Sequence, residues 1–546
     1  MSTVRERGRE RIPQSSLPKA GDVVKRKSSF WISNLLALVT ILALLYGAFP
    51  RALSWILYQG VYAHFPYVLV VGIGGFICLL SLGVFADSRR RHLGVVYLIL
   101  GLFVLGGGII VQWSGASSVL AQMNTFAPRK VLIDDDRSHL RFTPFDVAFR
   151  GMQNTFSDSA FYLDRADMAA LDVDGGFGYV VPTIPNGVLQ PFFEQMNGFV
   201  IFNDDPSIPD NQRIRRVHQK FKYGLGMQWF VDIWLQLARD DPFAVYGRPY
   251  YEQLDPANRD KFTLVVPKMR YSFGLAAYLI PVSYRTWGGV ALVHDTGVIE
   301  SLSVEQAKSD PRLKGHMIYP HELADAIVEA QVYDEGIMSG WFQRPGKIEV
   351  PELPGNNQMP FLVKSVDGRS YDIVTAEPAG PSHSLYRVYA VDMSTGERSV
   401  FEYDSQQQGL IGPAAAISYG KSIPGINWIE DHDGKSSGNF QLVEPLPVTR
   451  GGTLYWKMTQ TQRDYASVVG TVVVDPARPT EGVRRFDTRG DFFAWLDSNE
   501  PLRSNNAAPA MNNGGVDIQS LVRRTREQLK DAEQSLDALE SAINKK

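Results

Sequence analysis

The sequence predicts a membrane protein: three transmembrane helices at the N-terminus, a large α+β exoplasmic body, and an amphipathic, coiled-coil helix at the C-terminus. Three observations predict it. Phe30 to Phe49, Tyr67 to Phe85 and His92 to Trp113 are apolar runs without an interior charge, near the roughly 20 residues that cross a bilayer core as helix. Basic residues flank them: Arg5, Arg7, Arg9, Arg11, Lys19, Lys25, Arg26 and Lys27 before the first, and Arg89, Arg90 and Arg91 between the second and third. At the other end, Ile518, Val522, Thr525, Leu529, Ala532, Leu536, Leu539 and Ile543 recur at alternating spacings of four and three, the pattern of a coiled-coil seam.

The positive segments belong on the cytoplasmic side, so three crossings place everything after about Gly115 on the other. The first run is too long for a cleaved signal peptide, is followed by two more spans and lacks a convincing small-x-small cleavage site at its end, so it reads as a retained helix. Arg51 to His64 follows as a short loop or interfacial helix with Trp55, Tyr58 and Tyr62 as aromatic anchors. Glycines such as Gly74, Gly75 and Gly101 let the helices approach closely. The span interiors hold no acid, base or histidine, which excludes the residue types that mark an ion or proton path.

On this reading residues 1–29 are a basic cytoplasmic tail, 30–115 the transmembrane region, 116–260 a mixed α/β exoplasmic domain and 261–503 an α+β region. Residues 504–515 are a flexible linker rich in Asn and Gly, and 516–546 the coiled-coil helix. The stretches Thr143 to Asn154 and Asp164 to Leu171 read as helices. So does Tyr223 to Leu237, which follows a basic run. Leu264–Val266, Gly289–Val293, Phe361–Val363, Tyr386–Val391 and Thr471–Val474 are β-branched and aromatic, and read as strands. Pro320 and His321 open a helix through Ala330, with Leu323, Ile327 and Val328 on one face.

Two hairpins are alike. Val290 to Leu302 and Val388 to Val400 each run strand, turn with Thr-Gly (Thr296-Gly297, Thr395-Gly396), strand. A third run, Val468 to Arg484, ends its strand in Asp475-Pro476. This arrangement resembles PepSY-like modules, small helix-plus-sheet units of bacterial exported and membrane-anchored proteins. The resemblance implies a binding or regulatory role and carries no catalytic residue.

Composition narrows the function. The formal net charge of the 546 residues is -3, which gives no electrostatic ground for nucleic acid as a partner. The single cysteine, Cys78, lies in the second apolar run, so disulfides are excluded from the body and a cysteine nucleophile with them. No Asn-x-Ser/Thr acceptor occurs. Both points fit a bacterial or phage protein at a bacterial inner membrane, with the bulk of the chain and its C-terminus periplasmic.

Asp295-Thr296-Gly297 has the local pattern of aspartic proteases, but it occurs once, where that chemistry needs two carboxylates. His316, His321, Glu322 and Asp325 are the densest metal-like group, yet His-Glu-Leu-Ala-Asp lacks the second histidine of a His-Glu-x-x-His zinc site. Asp172-Val173-Asp174-Gly175 and Asp431-His432-Asp433-Gly434 begin like calcium loops and do not continue as such. No catalytic, metal or cofactor site is therefore assigned. The basic-aromatic run Arg213, Arg215, Arg216, Lys220, Lys222, Trp229 and Trp234 is a candidate membrane surface. The seam of Ile518, Val522, Leu529, Ala532, Leu536, Leu539 and Ile543 is a candidate for oligomerisation. The expected function is that of a non-enzymatic membrane-anchored scaffold, its partners the bilayer and a protein or a second copy. The alternatives are an exoplasmic hydrolase using the His/Glu/Asp group and a lipid or ligand sensor at the membrane face.

Overall fold

The computed structural model describes most of residues 54–502, with internal exceptions of which the longest are 86–90, 130–139, 339–346, 354–358 and 404–408. Before residue 54 it describes only Leu36, Ala37, Val39 and Thr40. The chain forms two compact units, Met1–Glu352 with Gln358–Ser405, and Leu353–Asn357 with Gln406–Lys546. The linker at 504–515 and the seam from Ile518 to Ile543 lie outside the described residues.

The first unit opens with two helices, α1 (Phe65–Phe85) and α2 (Arg91–Met123). They cross where two glycines face each other. A Cβ on Gly74 would lie 3.2 Å from the carbonyl oxygen of Gly101, and one on Gly101 would lie 3.0 Å from that of Gly74. Their outer faces carry exposed Phe76, Leu79, Ile99 and Phe103. Helix α2 does not stop at Trp113. It continues through buried Ser114 and Ser118, and its last turns place Val119, Leu120 and Ala121 in the main core.

This corrects the predicted fold class. Among the described residues no helix is long and apolar enough to cross a membrane. The first apolar run lies almost wholly outside the described residues, and the third is continuous with a helix whose end is part of the α+β core. The three-span architecture, and the periplasmic body and inner-membrane location drawn from it, are not supported by these helices. In the segment read as a loop or interfacial helix, Ser54, Ile56 and Leu57 are helical and lead into a π-helical turn, Tyr58–Tyr62. It docks on the body: the Tyr271 N–H donates to the Tyr58 hydroxyl at 2.9 Å, and Tyr62 meets Phe273 edge-on.

After α2 the chain forms the two-residue strand β1 (Ala127–Pro128), then α3 (Phe145–Thr155). An antiparallel sheet follows, from β2 (Phe161–Leu163), β3 (Ala169–Val173), β4 (Gly176–Pro185), β5 (Phe199–Asn203) and β6 (Ile214–Val217), in the order β2-β4-β5-β6 with β3 also on β4. Helix α3 sets Ala148 and Met152 against Tyr179, Val181 and Phe202. The helix expected at Asp164 to Leu171 is a single 3-10 turn running into β3, because Asp164 accepts from the Ala166 N–H and closes a local turn.

Helix α4 (Ile233–Asp240) precedes the second sheet. Strands β7 (Val245–Tyr246), β8 (Tyr250–Glu252), β9 (Thr263–Ala276), β10 (Ile280–Val293) and β11 (Ile299–Leu302) form it in the order β11-β10-β9-β7, with β8 on β9. The boundary expected at residue 260 falls inside this unit. Phe199 from the first sheet packs on Tyr251 and Phe262 at ring distances of 4.6 and 4.8 Å, so one core spans both sides of it. Helix α5 (Val304–Ser309) starts in a capping box in which Ser303 and Gln306 satisfy each other's backbone N–H. Helix α6 (His321–Ala330) matches the predicted span and buries Leu323, Ile327 and Val328.

The third sheet comprises β12 (Ile348–Glu349), β13 (Phe361–Lys364), β14 (Ser370–Pro378), β15 (Arg387–Asp392) and β16 (Arg398–Glu402). Its order is β1-β16-β15-β14-β12, with β13 also on β14, and β1 joins in parallel at Ala127 against Ser399. Both Thr-Gly hairpins are present, as β10–β11 and β15–β16, and both glycines take positive φ, 86° at Gly297 and 71° at Gly396.

The second unit has α7 (Pro413–Gly420), the small ribbon β17 (Glu430–His432) and β18 (Lys435–Ser437), and a meander of β19 (Phe440–Arg450), β20 (Thr453–Gln462), β21 (Val468–Val474) and β22 (Val483–Phe486), closed by α8 (Arg489–Asp497). Fully buried Trp456 donates its indole N–H to the Ile411 carbonyl at 2.9 Å.

Candidate functional site

The histidines singled out in the sequence are drawn to two different carboxylates. His316, between α5 and α6, holds Glu252 of β8 at 3.0 Å through Nδ1. His321, the first residue of α6, holds Asp372 of β14 at 2.6 Å through Nδ1. Both acids are buried, each 2% exposed. Burial pushes the His321 imidazole toward the neutral form, but the charge of Asp372 and the hydrogen bond to it outweigh this and raise its pKa. Glu322 turns the other way and accepts the Arg248 N–H at 2.8 Å. Asp325 lies one turn along α6 from His321, and burial together with the charge of Glu329 pushes its carboxyl up to about 6. These residues do not converge on one point. Among the described residues no group of three or more His, Cys, Asp or Glu could hold a metal ion.

Glu252 and His316 open on a cavity of about 230 Å³ completed by Lys314, Lys364 and Ser370 among others. A carboxylate on Nδ1 fixes the orientation of the imidazole ring.

The Asp295-Thr296-Gly297 motif serves as a turn. Asp295 accepts from the Thr296 N–H at 2.8 Å and from the Gln219 side chain at 3.3 Å. Asp172 pairs across β3 and β4 with Phe177, while Asp174 and Gly175 lie outside the described residues, as do Asp433 and Gly434. The basic run is a strand rather than the approach to a long helix. Arg215 and Arg216 sit on β6 and pair with Asp260 at 2.6 Å and Asp158 at 2.8 Å. Arg213 donates to the Ile208 carbonyl, and Lys222 lies over the Tyr223 ring. Helix α4 begins only at Ile233, where Asp232 caps it. Trp234 is 42% exposed on it, and Trp229 lies outside the described residues.

A second cavity, about 160 Å³, was not anticipated. It lies between β10, α5, the start of α6 and the β15–β16 turn. Arg285 and Trp287 project from the same face of β10, two residues apart. Lys308 of α5 stands over the Trp287 ring at 5.2 Å, and Trp287 meets Tyr319 edge-on at 5.2 Å. Arg398, first residue of β16, reaches the same space. Burial pushes the Tyr319 hydroxyl up to about 12 although the neighbouring Arg398 charge pulls it down. The residues lining this cavity include three cations and no acid. The alternation of Arg285 and Trp287 on one strand is legible in the sequence. The approach of Lys308 and Arg398 depends on tertiary packing.

Comparison of the chain with protein-family models, with curated proteins and with solved structures gives no match.

Proposed function

We propose that this chain is a non-enzymatic scaffold or assembly protein whose body binds a partner and whose segment 516–546 joins copies or docks a second protein. The observation that carries this reading is the use made of its acid-base groups. His321 ties α6 to the third sheet through Asp372, and His316 ties the preceding loop to the second sheet through Glu252. The groups best suited to chemistry thus act as joints between layers. Helix-plus-sheet packing, as in α7 against the β19–β22 meander, is also consistent with the PepSY-like reading of binding modules. The test is the mass of the intact protein by light scattering, with and without residues 516–546. An oligomer that becomes smaller on truncation supports the reading; a monomer in both cases, with no change in any captured partner, removes the role given to that segment.

One observation favours a hydrolase instead: the Glu252–His316 pair faces the larger cavity, with Ser370 in its lining. Hydrolysis of activated ester substrates that disappears in a folded His316→Gln variant would replace the scaffold reading.

A further inference from the structure

The smaller cavity brings cations and aromatic rings together. Its lining gathers Arg285, Lys308 and Arg398 with no acidic residue. None of the three makes an ion pair with a carboxylate among the described residues. Arg285 lies over the Tyr271 ring at 5.7 Å and Lys308 over Trp287, so two of the cations rest on aromatic faces. The Nε of Arg398 is buried and has no hydrogen-bond partner. A buried polar donor without a partner is costly, and more so where the group is charged. Like charges facing one cavity add a repulsion that a bound counter-charge relieves.

The neutral lining suits the same task. Asn124, Thr286 and Thr395 offer uncharged hydrogen-bonding groups, while Trp287, Tyr319 and Leu323 form an apolar wall. At about 160 Å³ the space is some ten times what one water requires, roughly 15 Å³ on a comparable measure. Guanidinium groups favour oxyanions because their planar donor fork matches carboxylate and phosphate oxygens.

We propose that the cavity framed by Arg285, Lys308 and Arg398 binds the oxyanion of a small molecule, a carboxylate or a phosphate group. The anion accepts from the Arg398 guanidinium and from the Lys308 ammonium, and the aromatic wall seats the remainder of the ligand.

The test is calorimetric titration of the full chain with inorganic phosphate and, separately, with acetate, at ionic strength held constant with sodium chloride. Saturable binding of at least one is expected. Phosphate alone would identify a phosphate group, and acetate alone a carboxylate. Lys308 is exposed on the surface of α5, so Lys308→Gln and Lys308→Glu are expected to fold. The first should weaken binding about tenfold, and the second should abolish it. Arg398→Gln should weaken it at least as much as Lys308→Gln. No saturable heat from either anion with the wild-type chain would overturn the proposal. So would affinity that Lys308→Glu leaves unchanged.

Discussion

The ring of Tyr319 occupies the space that a side chain at Gly396 would need: an added Cβ would stand 2.6 Å from both Cδ2 and Cε2. The other Thr-Gly turn repeats the relationship, since a Cβ on Gly297 would stand 2.8 Å from Cε2 of Tyr223. Each turn also receives backbone N–H groups from the segment it packs against, Tyr319 onto the Met393 carbonyl and Lys222 onto that of Asp295. The two hairpins are thus platforms for an aromatic segment as well as chain reversals. Gly396→Ala incurs the left-handed backbone cost of about 1–2 kcal/mol and an overpacking cost of about 1–3 kcal/mol. Gly368, at φ 79° with nothing within 4 Å of a Cβ, supplies the control. Chemical denaturation should show Gly396→Ala losing at least 1 kcal/mol more than Gly368→Ala. Equal losses would mean that the ring moves aside freely.

The His321–Asp372 joint predicts a pH dependence of stability. The folded imidazole holds its proton more tightly than the unfolded one, because Asp372 outweighs burial. The pair's contribution is therefore complete below the ordinary histidine value of about 6.5 and is lost as pH rises through the higher folded value. His321→Gln leaves Asp372, 2% exposed, facing a neutral partner. It should cost about 3 kcal/mol at pH 6, and less at pH 9. Urea denaturation of both proteins across this range measures the difference. A cost independent of pH would show that the imidazole is neutral in the folded chain.

Much of the α+β body was legible in the sequence. The runs at Leu264–Val266, Gly289–Val293 and Thr471–Val474 became strands because β-branched and apolar residues pack well on a buried pleated surface, and α6 began at His321 as its proline and apolar spacing required. The helix at Tyr223 to Leu237 contracted to Ile233–Asp240 because Asp232 caps it there. The membrane reading failed at α2. Hydropathy treats an apolar run by itself and cannot see Val119 to Ala121 carrying the same helix into the core. The histidines were found by residue type, but Glu252 and Asp372, which fix their roles, lie 64 and 51 residues away. The cationic cavity draws Arg285, Lys308 and Arg398 from three elements, so no local pattern could announce it.

Asp325 predicts a stabilising substitution. Its carboxyl is pushed up to about 6 by burial and then by the negative charge of Glu329. The folded chain therefore holds this proton more tightly than the unfolded chain, and ionisation is a cost that develops between about pH 4 and 6 and persists above. Asp325→Asn removes it. Allowing for the partial exposure of the group, the gain should be about 1 kcal/mol at pH 7.5, vanishing near pH 4. Thermal melts at the two pH values decide it. Destabilisation at pH 7.5 would mean that the carboxylate's attraction to His321 outweighs its burial.

The crossing of α1 and α2 predicts a substitution with a specific partial rescue. A Cβ on Gly101 would lie 2.5 Å from Cys78 Sγ and 3.0 Å from the Cys78 amide nitrogen and the Gly74 carbonyl oxygen. Two of these three contacts are to backbone, which cannot rotate away, so Gly101→Ala must move the helices apart. The expected loss is about 1–3 kcal/mol, the usual cost of overpacking, even though alanine favours helix over glycine by about 1 kcal/mol. Cys78→Ala removes the sulfur contact and leaves the two backbone contacts. The double variant should therefore recover part of the loss, and less than half of it. Gly106, with nothing within 4 Å of a Cβ, lies on the same helix and serves as the control. There the substitution to alanine should be neutral or stabilising. Thermal unfolding of the four variants tests the crossing, and a Gly101→Ala protein as stable as Gly106→Ala would mean that these two helices do not meet at Gly74 and Gly101.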